Sequence, residues 1–187
     1  MSHFEQPNVL HITWRHFVRK HLLPNIGHLY DTNVPFKCWR VADFPALLAG
    51  CNIWGPAFDM QLLLTAVKHY CGTVGVSAEE AVGVQPILFT EDFEESNFTA
   101  NATNPDASYE TFCRISKEIV QLHHQYKTGD AAGKAAEVVR FVEELDEKKY
   151  KAMIVGVEKE LGRQLLFDYE FDLSMLRTAI NMNSLKQ

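Results

Sequence analysis

"PAFDMQLLLTAVKHYCG", residues 56–72, decides the fold class. Met60, Leu62, Leu63, Leu64, Val67 and Tyr70 cover most of the circumference when the stretch is wound at the helical period. A helix apolar nearly all round must be covered from several sides, so this one is expected to be the central element. Proline suits a first helical position, where the missing N–H costs nothing, and glycine suits a stop. Pro56 and Gly72 stand in those places.

Working outward, the region before this helix is punctuated by Pro24, Pro35, Pro45 and Pro56 and by Gly27, Gly50 and Gly55. Residues 24–56 should therefore run as loops around one short helix, "DFPALLAG" (43–50), with Asp43 as cap and Gly50 as stop. Trp39 and Trp54 are expected to plug the core there. Earlier still, residues 1–24 hold an amphipathic helix. In "LHITWRHFVRKHLL" (10–23), Leu10, Trp14, Phe17, Val18, His21 and Leu22 form one stripe. Arg15, His16, Arg19 and Lys20 lie opposite. Asn8 can cap this helix and Pro24 ends it.

In the other direction, "SAEEAV" (77–82) carries a capping box, Ser77 with Glu80 three residues on. An acidic loop of turn-forming residues follows over 84–104. Asn104 and Pro105 then start a helix to about residue 127, with Tyr109, Phe112, Ile115 or Ser116, Ile119 and Leu122 on one face and Gly129 closing it. From Asp130 a helical region runs, with a kink, to Phe167. Ala135, Val138, Val142 and Leu145 point inward first, then Tyr150, Met153, Ile154, Val157, Leu161 and Leu165. The pairs Glu144–Lys148 and Glu147–Lys151 have the favourable order for helical ion pairs. "FDYEFD" (167–172) switches to period two, with Phe167, Tyr169 and Phe171 on one side and three carboxylates on the other, so it is read as extended. Asp172 caps a last helix, 173–182. The expected fold is mainly α. It is a single domain over 1–187, a bundle of about six helices with a loop-rich N-terminal third and a short extended segment near the C-terminus.

A chain of 187 residues with 47% hydrophobic residues can bury one sizeable core. No run approaches the ~18 apolar residues a membrane span needs. Cys38, Cys51, Cys71 and Cys113 show neither metal-ligand spacing nor a dense disulfide framework. Reduced thiols in an intracellular compartment, cytoplasmic or mitochondrial, are the expectation. The opening stretch lacks the apolar block of a secretory signal. It matches a mitochondrial transit peptide in amphipathicity but not in its scarce serine and abundant histidine.

Charge is partitioned along the chain. Residues 1–72 hold six Lys/Arg against four Asp/Glu, and residues 73–110 hold eight acids and no Lys or Arg. Residues 111–187 balance, so the total is −6. The basic opening stretch is expected to face the acidic middle, within one subunit or across a boundary. Exposed pairs are worth only ~0–1 kcal/mol, so solvated charge is the competing view.

No catalytic, metal-binding or cofactor-binding set stands out. His123 and His124 are adjacent on a helix and point about 100° apart, so they cannot share a metal. His69 and Cys71 lie on the buried helix. "GTVG" (72–75) lacks the Walker lysine and the dinucleotide fingerprint. Glu91, Asp92, Glu94 and Glu95 lack the alternating ligands and glycine turn of a calcium loop. Arg15, Arg19, Lys20, Lys37 and Arg40 could neutralise a few phosphates, but a net charge of −6 disfavours a stand-alone nucleic-acid binder.

Three short stretches, "VKHYCGTVG" (67–75), "FCRISKEIV" (112–120) and "FDYEFD" (167–172), are similar to parts of the helical coat proteins of flexuous plant viruses. That likeness implies a helical nucleoprotein or coat subunit. It covers a small share of the chain, and the charge between the stretches does not follow it. The leading expectation is a non-enzymatic structural or interaction subunit of a multiprotein assembly. Its other protein subunits would be met through Arg15, Arg19 and Lys20 at one end and Phe167, Tyr169 and Phe171 at the other. An enzyme whose His/Cys or carboxylate site is assembled only in the fold is the alternative from another class.

Overall fold

The computed structural model describes residue 14, residues 17–29, residue 32, and residues 37–85, 105–128, 133–153 and 173–184. Among these residues the chain is helical, with no strand. In chain order the elements are α1 (described over 17–22), a 3-10 turn Pro24–Ile26, α2 (Phe44–Ala49), α3 (Phe58–Thr73) and α4 (Ala78–Ala81). There follow α5 (Pro105–Tyr126), α6 (Lys134–Glu143), α7 (described over 147–153) and α8 (Leu173–Ser184). No described helix is long and apolar enough to cross a membrane.

α3 takes the central place that its composition predicts. Every residue from Met60 to Val67 is buried, and the 3-10 turn, α2, α4 and α5 all pack on it. Its end differs from expectation. Gly72 lies inside the helix, which closes at Thr73 with Val74 as C-cap, and the left-handed residue beyond it is Gly75 at φ 77°. Gly72 has open space around it, so nothing there forces a stop.

On the inner side, the main core is organised by Trp14. Its ring stacks on Phe17 and Phe112 at centroid distances of 5.9 and 5.3 Å, and Phe141 lies at 5.4 Å. Tyr150 extends the cluster from Phe112 (5.0 Å) to Tyr109 (5.5 Å). One aromatic hub thus joins the N-terminal segment to α5, α6 and α7, and each such ring pair is worth about 0.5–1.5 kcal/mol beyond simple burial. The indole N–H of Trp14 donates to Ser116 Oγ at 2.7 Å, and that hydroxyl donates onward to the Phe112 carbonyl at 2.6 Å. No polar atom of this chain of contacts is stranded in the apolar interior.

The face of α5 follows the predicted spacing, with Phe112, Ile115, Ser116, Ile119 and Leu122 buried and His123 added. The expected stop, Gly129, lies outside the described residues; Lys127, just past the helix, adopts a left-handed φ of 50°. α1 and the end of α5 share an acceptor: the Leu22 carbonyl receives hydrogen bonds from His123 Nδ1 (3.2 Å) and from the Thr128 hydroxyl. The region expected to continue from 130 as one kinked helix is divided. α6 has Gly133 as its N-cap and breaks after Glu143. Asp146 then caps α7, its carboxylate accepting the Lys149 N–H at 2.7 Å. The inward set Ala135, Val138, Val142, Leu145, Tyr150 and Met153 is buried as predicted, and Phe141 joins it. Lys151 pairs with Glu147. α8 buries Leu173, Leu176 and Ile180, and Arg177 ties it to α6 through Glu137 at 2.9 Å.

Three expectations are corrected. Trp54 does not plug the core; it is 72% exposed, whereas Trp39 is half-buried against it. Arg19 is not on a solvent face but only 2% exposed, because α1 is covered on more than its apolar stripe. Asp43 precedes α2 without capping it: its carboxylate accepts the Tyr70 hydroxyl at 2.8 Å and so fastens α2 to α3. Arg15, most of the acidic loop (86–104), the remainder of the inward set (Ile154, Val157, Leu161, Leu165) and the 167–172 segment lie outside the described residues.

Candidate interaction surface

The outer side of α3 is built differently from the inner one. A second, small cluster has Leu47, Leu62 and Ala66 fully covered, ringed by half-buried Trp39, Phe44, Leu48, Cys51, Phe58, Tyr70 and Val82. α2 is only six residues long and cannot cover this face alone. Trp39 stacks on Phe44 (6.4 Å), and Trp54 stacks nearly parallel on Phe58 (5.2 Å, 17°).

The loop that carries Trp54 runs from Cys51 to Ala57 and is held from both sides by polar groups withdrawn from water. Gln61, fully buried on α3, accepts the N–H groups of Asn52 (2.9 Å) and Ile53 (2.7 Å) on one oxygen. Its amide nitrogen donates to Asn52 Oδ1 at 2.6 Å and reaches Gln125 at 3.4 Å. At the other end, Glu118 of α5 accepts the Ala57 N–H at 2.9 Å. This carboxylate sits over the start of α3, where it meets an otherwise unsatisfied donor and the positive end of the helix dipole. Arg114 pairs with its other oxygen at 3.0 Å. Gly55 is required for that approach, since a Cβ there would stand 1.9 Å from Glu118 Oε1. Anchors from two helices thus present an exposed indole on a fixed loop. Rigidity of this kind lowers the entropic cost of docking.

Further along the same helix lies a cleft of about 540 Å³. Its apolar walls come from Leu29, Trp39, Leu63, Val74, Val76, Val82 and Val84. Its charges are Lys37, Arg40 and Glu80. Lys37 pairs with Asp59 at 3.0 Å and Arg40 with Asp43 at 3.8 Å. Burial and the adjoining Asp43 raise the Tyr70 phenol above its ordinary value. Glu80 closes the predicted capping box: Ser77 N–H donates to its carboxylate (2.8 Å), and its own N–H donates to Ser77 Oγ (3.2 Å). Those bonds to Ser77 hold its carboxyl below the usual glutamate value.

Of the predicted partner-binding residues, Lys20 is exposed and Arg19 is buried. Arg15, Phe167, Tyr169 and Phe171 lie outside the described residues. Trp54, Gly55, Gln61 and Glu118 are the residues that sequence reading missed. The available signal was "NIWGP" (52–56), a turn that places an indole beside a glycine and a proline.

Burial raises the Cys51 and Cys113 thiols, the opposite of the shift that makes a cysteine nucleophilic. Tyr109, hydrogen-bonded to Cys113, is pushed up to about 12. Among the described residues no three His, Cys, Asp or Glu side chains gather as a metal site. No protein-family model, no curated protein and no solved structure matches this chain.

Proposed function

We propose that the chain is a non-enzymatic interaction subunit of a multiprotein assembly and that Trp54 is one of its docking residues. The supporting observation is a large aromatic side chain left 72% exposed on a loop that two helices hold in place. Tryptophan and arginine dominate the energetically decisive residues of protein interfaces, and here Trp54 and Arg114 flank Gly55 and its carboxylate neighbour Glu118. Lys20 and the ring segment Phe167, Tyr169 and Phe171 belong to the same reading as further contacts at the two ends of the chain.

The test compares native particle sizes in extracts of the source cells carrying the wild-type or the Trp54→Ala chain. The wild type should migrate in a species well above 21.3 kDa, and the variant should lose it. An unchanged profile would rule out Trp54 as a docking residue. A wild-type profile at the size of the single chain would rule out the assembly itself.

A further inference from the structure

We propose that a polar stripe between α3 and α5 is a conformational lock that fixes the register in which these two helices pack. The lock lies inside the molecule and is independent of the interaction reading above. Spacing is the first observation. Ala57, Gln61 and Thr65 stand four residues apart, so they form one row along the start and first half of α3. Gln125 and Tyr126 follow Glu118 by seven and eight residues, which places all three on one face of α5. The two rows meet in order. Glu118 accepts the Ala57 N–H at 2.9 Å, the Gln61 amide nitrogen reaches Gln125 at 3.4 Å, and Tyr126 Oη lies 2.6 Å from Thr65 Oγ1.

Thr65 is the node of the stripe. Its hydroxyl donates its one proton to the Gln61 carbonyl at 2.9 Å, so the phenol of Tyr126 is the donor in the 2.6 Å bond. The Thr65 methyl is confined from the end of α2, where a Cβ on Gly50 would stand 2.7 Å from it. The Lys68 ammonium lies 6.0 Å from the centre of the Tyr126 ring and adds a weak hold on its position. Gln61 is fully buried and Thr65 nearly so, which withdraws this contact from competing water.

Beside the stripe, α3 gives Met60, Leu63, Leu64 and Val67 to the main core, and α5 gives Ile115, Ile119 and Leu122. Attraction between such side chains is non-directional, and cores of the right volume lose a unique arrangement before they lose stability. A slide of one helical turn, about 5.4 Å, exchanges one aliphatic neighbour for another but breaks all three polar contacts together. It also carries Glu118 away from the loop that ends at Ala57. The stripe thus selects one packing among those the apolar residues tolerate, the use best attested for polar groups between helices.

The experiment removes the stripe while keeping its volume. Isotope-labelled full-length chain carrying Thr65→Val, Tyr126→Phe and Glu118→Met together is compared with the wild type and with Thr65→Ser. Circular dichroism gives helix content, chemical denaturation gives the folding equilibrium, and amide NMR spectra count the packings present. The triple variant should keep its helix content and a folding equilibrium constant within about tenfold of the wild type, because both partners of the Thr65 bond go together. Its amide signals over 58–73 and 105–126 should nevertheless double or broaden. The wild type and Thr65→Ser, which retains the hydroxyl, should each give one sharp set.

One sharp set from the triple variant would overturn the proposal, since the apolar residues would then fix the register unaided. Loss of its helix content would overturn it too, because the stripe would then supply stability instead of selecting a packing. Doubled signals in Thr65→Ser would assign the effect to the missing methyl group and sink the role of the hydroxyl. The particle-size test of Trp54 is untouched by any of these results.

Discussion

Trp14 and Trp54 are the same residue type, each stacked on phenylalanine, one inside the main core and one on the loop that precedes α3. Trp14 is fully buried, ringed by Phe17, Phe112 and Phe141, and its one polar atom is answered by Ser116. Trp54 has a single ring neighbour and lies mostly in water. Around Trp14 the polar groups serve the indole itself. Around Trp54 they serve the backbone of the loop beneath it. The difference shows that burial of aromatic area is not the only reason to fix an aromatic side chain: one site holds the molecule together, and the other holds out a surface.

The comparison breaks if the two residues respond alike. Trp14→Ala should cost about 3–5 kcal/mol, the range for large-to-small changes in a closed core. Trp54→Ala should stay within about 0.5 kcal/mol, as surface changes do. Chemical denaturation of the two variants measures both. On the inner side, Arg19→Glu exchanges a buried cation for an anion, and a loss of about 3 kcal/mol is expected. Lys20→Glu, one residue along and exposed, should cost less than about 1 kcal/mol by the same assay.

On the outer side, Gly55→Ala pushes the Glu118 carboxylate off the Ala57 N–H and should cost about 0.5–1.5 kcal/mol, the worth of that hydrogen bond, seen as faster amide exchange at Ala57. The smallest effect concerns Glu80. Its carboxyl is held below the ordinary value in the folded chain, so its contribution is present at neutral pH and is lost as pH falls through the folded value. The protection of the Ser77 and Glu80 amides against exchange should fall as the pH drops below the ordinary glutamate range, with α3 unaffected.

Local rules were legible in the sequence where a single element carries the information. The apolar circumference of 58–73, the capping box at 77–80 and the inward face of α5 all follow from spacing within one helix. Features that need two distant segments were not. Trp54 looks like a core residue until Glu118 and Gln61 are known to clamp its loop outward. Asp43 resembles a cap until Tyr70 claims its carboxylate. Arg19 reads as solvent-facing because a helical wheel assumes one covered side, whereas α1 is enclosed more fully. The candidate surface was therefore the least readable part, since it is made of tertiary hydrogen bonds.

The carbonyl of Leu22 has a consequence for how the molecule opens. Two donors from the end of α5, His123 and Thr128, converge on this one oxygen at the last turn of α1. Peeling the first helix away would strand both donors in an apolar setting at once, so partial fraying there gains little. The opening helix and the tail of α5 are bound to separate as one cooperative unit, although about a hundred residues lie between them in the chain.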